Sequence, residues 1–146
     1  MARFLIVGAG SCRALALTRG LVAERHAVRG VTRGAHREAI EEAGGEAWIG
    51  DPDVVGTLRY ATENVTLLLW LLGGVEQEDL HGSRLQMMLE RTIDTTVRGF
   101  LYEAGGAGTA SGAAIVERMA TYNEIPFSIV EKGAPLRPAV DELLSR

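Results

Sequence analysis

Short unbroken apolar runs alternate with stretches of helical periodicity from one end of the chain to the other. Six of the runs have strand length, roughly Arg3 to Val7, Ala27 to Thr32, Glu46 to Ile49, Val65 to Leu72, Gly99 to Glu103 and Pro126 to Glu131. Runs that stay apolar rather than alternate mark strands buried on both faces, which crossover helices on either side of a parallel sheet produce. The pattern predicts an α/β fold: a single doubly wound domain over residues 1–146, with a six-stranded parallel sheet in order 3-2-1-4-5-6 and helices on both faces. No linker, repeat or low-complexity tract interrupts the series.

The turns between runs follow the same grammar. Gly44 and Gly45 close the second helix, and Asp51 with Pro52 opens a third, the carboxylate capping free amides and proline taking the first helical position. After the fourth strand, Ser83 and Gln86 have capping-box spacing, and Leu85, Met88, Leu89, Ile93 and Val97 share one face of a helix that Gly99 can close. Met87 and Met88 fit core packing at helical spacing better than an adaptable binding surface. Trp48 and Trp70 sit in strand runs and fill the core or a subunit contact, while Arg37, Glu38, Glu41 and Glu42 form a solvated helix face.

Composition narrows the class. With 146 residues, 47% hydrophobic and 23% charged, the chain can bury a substantial core but has no room for a second catalytic domain. A net charge of -4 argues against a general nucleic-acid footprint, although local basic patches are allowed. Val65 to Leu72, the longest apolar run, is far too short to span a membrane, so a cytoplasmic chain without a membrane partner is expected. Cys12 is the sole cysteine, which excludes an internal disulfide and a thiolate zinc site, and His26, His36 and His81 lack metal-ligand spacing. Helix faces on so small a sheet leave homo-oligomers open.

The chemistry concentrates after the first strand. In a Gly-x-Gly-x-x-Gly turn the first glycine makes the bend, the second admits a diphosphate and the third lets helix and strand pack closely. Gly8 and Gly10 satisfy the first two roles; Arg13 replaces the third, so the helix stands farther off or the guanidinium points toward phosphate. The amides of Ser11, Cys12 and Arg13 would then face an anion at a helix amino terminus. A purely structural glycine turn is the competing reading, and Cys12 reads as a small loop residue beneath a cofactor rather than a nucleophile.

An NAD-preferring site places a carboxylate at the end of the second strand to bond the adenosine ribose. Here the chain reads Val31-Thr32-Arg33-Gly34, with Arg37 one helical turn on. That cationic fork suits the 2′-phosphate of NADP(H), and a pair of solvated arginines is the alternative. Asp51, closing the third strand, could accept from the adenine amino group while capping its helix. Leu72, Gly73, Gly74, Tyr102, Glu103, Glu131 and Lys132 should share one rim, where the glycines let a nicotinamide ribose approach. Tyr102 is a candidate proton donor and Glu103 a candidate base, against a packed tyrosine; His81 with Ser83 and Arg84 is either a substrate contact or a loop histidine beside a helix cap.

These residues resemble the NAD(P)-binding Rossmann superfamily, and within it the atypical or extended short-chain dehydrogenase/reductase group with its epimerase-like and NmrA-like members. The likeness lies in Val7-Gly8-Ala9-Gly10, Val31-Thr32-Arg33 and Gly50-Asp51. Two departures stand out. The family's glycine spacing is Gly-x-x-Gly-x-x-Gly, and its catalytic Tyr-x-x-x-Lys is missing: Ser128 stands four before Lys132, the only lysine, and Tyr122 is followed by Asn123, Glu124, Ile125 and Pro126. In that family the tyrosine exchanges a proton with substrate while the lysine lowers its pKa and holds the ribose, so the chemistry does not transfer. The carboxy-terminal substrate-binding part of extended members is absent as well, leaving what looks like a stand-alone cofactor domain.

The leading expectation is an NADP(H)-binding protein acting as a reductase on a small molecule, with water or Tyr102 as proton source. The second is a non-catalytic NADP(H) sensor or partner-binding module in the manner of NmrA-like regulators. The third is another nucleotide or a sugar nucleotide on the same turn.

Overall fold

A computed structural model describes residues 1–105 and 109–146. Six strands, β1 (Arg3–Val7), β2 (Ala27–Thr32), β3 (Glu46–Ile49), β4 (Leu67–Trp70), β5 (Gly99–Ala104) and β6 (Phe127–Glu131), form one parallel sheet in the order β3-β2-β1-β4-β5-β6. The crossovers carry α1 (Cys12–Ala23), α2 (Arg37–Glu42), α3 (Ser83–Thr92) and α4 (Thr109–Tyr122), and α5 (Arg137–Leu144) follows the last strand. Both the strand order and the doubly wound architecture agree with the sequence pattern.

The two-residue period of a strand divides the core into two layers. Phe4 and Ile6 of β1 and Leu67 and Leu69 of β4 pack under α1, α2 and α5 through Ala14, Leu17, Leu21, Ile40, Val140 and Leu143. Leu5, Val7, Leu68 and Trp70 point the other way, onto Leu85, Met88 and Leu89 of α3 and Val116 of α4. The indole N–H of Trp70 donates to the Leu80 carbonyl at 2.9 Å, so the largest buried ring keeps its polar atom satisfied. Trp48, near the β3 edge, donates to the Thr57 carbonyl at 2.9 Å and lies under the Arg29 guanidinium, 5.3 Å away.

The close of α2 follows the glycine pair. Gly44 has φ +94 and donates to the Glu41 carbonyl, and Gly45 donates to the Ile40 carbonyl, the two bonds of a Schellman end.

Three local expectations are corrected. No α-helix opens at Asp51-Pro52: Asp51 Oδ1 accepts from the Asp53 amide, and the chain continues in 3-10 turns at Val55–Leu58 and Tyr60–Thr62. Val54, Val55, Gly56 and Thr57 are poor helix formers, and the Thr57 hydroxyl is bonded to the backbone at Asp51 and Val54 instead. Ser83 is the first residue of α3 and makes no cap bond, the preceding 3-10 turn (Glu78–His81) and Gly82 leading into the helix instead. That helix ends at Thr92, leaving Ile93 exposed, because the Thr92 and Thr95 hydroxyls bond carbonyls three residues back; Gly99 starts β5 rather than closing a helix.

Candidate functional site

From the neighbouring strands β1 and β4 the chain leaves in opposite directions, to α1 on one face and to α3 on the other. Such a switch point opens a crevice beyond the carboxyl ends of the strands. A cavity of about 660 Å³ occupies it, and Gly8, Gly10, Ser11, Arg13, Thr32, Arg33 and Leu72 are among its lining residues. Cys12, Arg37, Asp51 and Gly73, also expected at the site, lie outside that lining.

The glycine turn is built by close approach. Gly8 has φ +86, and a Cβ there would run into the Leu71 carbonyl, where the chain leaving β4 passes the end of β1. At Gly10 a Cβ would overlap the His36 ring. Ser11 then caps α1, its Oγ accepting from the Ala14 amide at 3.1 Å. The first four amides of a helix have no intrahelical partner. Only that of Ala14 is taken; among the described residues the amides of Ser11, Cys12 and Arg13 make no hydrogen bond. They gather at the positive end of the α1 dipole.

Arg13 does not hold its guanidinium free for a phosphate. Its guanidinium pairs with Glu103 at the end of β5 and donates to the Ala134 carbonyl beyond β6. Glu103 is buried, and its second oxygen accepts from the Gly73 amide at 2.9 Å. The arginine therefore ties α1 to the ends of β4, β5 and β6, and its charge is balanced within the cleft wall.

At the end of β2, Thr32 Oγ1 accepts from the amides of Gly34 at 3.0 Å and His36 at 3.2 Å, curling the chain back toward the glycine loop. Arg33 lines the cleft with no hydrogen bond or ion pair among the described residues. Arg37 instead pairs with Glu41 on the exposed face of α2, at 2.9 Å. His36, a residue that sequence reasoning missed, lines the cleft where Arg37 does not. Asp51 is turned into its own loop, and Gly50 and Pro52 line the cleft beside it.

The far end of the cleft is lined by Leu72, Gly74, Glu103 and Lys132. Tyr102 is not there. It is fully buried, its hydroxyl 2.6 Å from His81 Nδ1, while His81 Nε2 lies 2.8 Å from the Val75 carbonyl. A carbonyl only accepts, so Nε2 carries the proton and Nδ1 accepts from the phenol. Burial pushes the Tyr102 hydroxyl up to about 12. Tyr102 is thus a packed tyrosine rather than a proton donor, and His81, itself buried, is a loop histidine rather than a substrate contact, the readings the sequence favours for both. Arg84 is spent on Asp53 at 3.2 Å.

Elsewhere, a hollow of about 560 Å³ lies near the amino ends of β4 and β5, away from the glycine loop. Among the described residues no three of His, Cys, Asp and Glu come together as metal ligands, and no helix is long and apolar enough to cross a membrane.

A parallel sheet of this order with a glycine turn at its switch point is a Rossmann fold. No protein-family model matches the chain, and no curated protein matches it in sequence. Solved structures match in fold. UDP-glucuronic acid 4-epimerase from Bacillus cereus, in complex with UDP-glucuronic acid and NAD, superposes with a TM-score of 0.70 at 12% identity, over 87% of this chain and 55% of its own. Vestitone reductase from alfalfa (Medicago sativa L.) gives 0.72 at 11% identity, over 88% and 56%. The UDP-Glc/GlcNAc 4-epimerase from Campylobacter jejuni gives 0.75 at 11% identity, over 90% and 53%. The chain spans about half the length of these structures, and at such identities the likeness is one of fold.

Proposed function

We propose that the cleft binds NADP(H) and presents it for hydride transfer with a small molecule. The observation that carries this reading is the set of uncommitted amides of Ser11, Cys12 and Arg13 beside an unpaired Arg33, all at the switch point of the sheet. The amides supply donors for a diphosphate, and the Gly8-Ala9-Gly10 backbone lets it come close. Arg33 stands where an NAD site would hold a carboxylate; a charge-assisted contact of about 1.5 to 3 kcal/mol to a 2′-phosphate would favour NADPH over NADH roughly tenfold to hundredfold. Thr32 shapes the turn that carries Arg33, and Leu72 and Gly74 leave room for the second ribose. Bound NADPH would supply the hydride. With Tyr102 in the core, the proton comes from water.

The burial of Tyr102 and the double engagement of Glu103, by Arg13 and by the Gly73 amide, favour a second reading, in which the protein binds NADP(H) without turnover as a sensor or partner-binding module. Fluorescence titration with NADPH should saturate; no binding at millimolar cofactor would eliminate both readings and leave another nucleotide as the ligand. Oxidation of bound NADPH across a panel of carbonyls and quinones should then find an acceptor, and a uniformly silent panel would leave the sensor.

A further inference from the structure

His36 lies between the glycine loop and the end of β2. Its amide is held by Thr32 Oγ1 at 3.2 Å, and its ring packs so closely on Gly10 that no side chain fits there. The ring lines the same cleft as Arg33, three residues earlier. In a dinucleotide crevice this gap receives the adenosine ribose. We infer that His36 is the second member of the 2′-phosphate site, beside Arg33, and that it makes the preference for NADPH over NADH depend on pH; this rests on the cofactor reading above.

The surrounding charges support it. On the glycine-loop side, Arg13 is balanced by Glu103. On α2, Arg37 is held by Glu41, and Glu38 stands one residue further on in the first turn. At the end of β3, Asp51 is outside the cleft lining, with its Oδ1 on the Asp53 amide. Lys132 lies at the far end of the cleft, so the nearest uncompensated charge in the lining is that of Arg33. A phosphate dianion held between Arg33 and the ring would favour a proton on the imidazole.

A neutral imidazole offers one N–H donor, whereas the imidazolium offers two and a charge. Binding of the 2′-phosphate therefore takes up a proton, and by linkage the affinity for NADPH rises as the pH falls. NADH carries a hydroxyl there and lacks that coupling.

The test is fluorescence titration of the wild type and His36→Gln with NADPH and with NADH. The range is about pH 8.5 down to about pH 6.5, above the second ionisation of a phosphate monoester near 6, so the ligand keeps its charge. In the wild type the ratio of NADH to NADPH dissociation constants should rise by about fivefold or more across this range, the scale of a charge-assisted contact only partly formed at the upper end. In His36→Gln it should stay flat. A ratio that is flat in the wild type, or rises equally in the variant, overturns the role of His36 while leaving the cofactor reading intact. Failure of the wild type to bind either cofactor overturns both.

Discussion

At the residue scale, the buried Tyr102–His81 pair shows how the core decides what the cleft can do. The phenol donates to Nδ1 and is kept protonated, its pKa pushed from 10.0 to about 12 by burial. An unfolded chain ionises this tyrosine at lower pH than the folded one does. The stabilisation is therefore complete below about pH 10 and is lost as the pH rises toward about 12. Tyr102→Phe should be less stable near neutrality by about 1 to 3 kcal/mol, because His81 Nδ1 is left buried without a donor. Denaturant midpoints between pH 9 and 12 should show the two proteins converging with rising pH; parallel curves would contradict the ionisation assigned to Tyr102. The sequence favours a packed tyrosine here, as the structure has it, while a strand residue between Leu101 and Glu103 can face either layer. The His36 contact with Gly10 left no sequence signal: it joins residues from two loops, and only their packing brings them together.

At the element scale, β1, β2, β4 and β5 were legible because a run buried on both faces has a distinctive composition, whereas the edge strands β3 and β6 are only partly buried. β4 is shorter than its apolar run, which also contains Leu71 and Leu72; the Leu71 amide still donates to the Val7 carbonyl at 2.8 Å, and both residues line the cleft at the switch point. Helix ends were harder to read. Gly44 and Gly45 announced the end of α2 because a left-handed residue there requires glycine, whereas Asp51-Pro52 could serve a turn as readily as a helix. Gly44→Ala should cost about 1 to 2 kcal/mol, because alanine pays for the left-handed conformation and its Cβ would lie 2.8 Å from Val22 Cγ1. Gly56→Ala, with open space around the new methyl, should stay within about 0.5 kcal/mol of the wild type. Equal losses in chemical denaturation would contradict the role given to Gly44.

At the scale of the whole molecule, the strand order puts the glycine loop, the end of β2 and the ends of β4 to β6 around one crevice, although they are spread from Gly8 to Gly133. This much followed from the pattern, because a doubly wound sheet has one switch point between its first and fourth strands. The Arg13–Glu103 pair did not follow from it, since its partners are 90 residues apart and neither has a local reason to seek the other. Its effect is to neutralise the arginine at the glycine loop; in the proposed reading the amides would then meet the diphosphate and Arg33 the phosphate on the ribose. Paired titrations of the wild type and Arg33→Asp with NADPH and NADH address that division of labour most directly. The variant should lose at least about tenfold more affinity for NADPH than for NADH. Equal losses for the two cofactors, or no binding of either to the wild type, would contradict it.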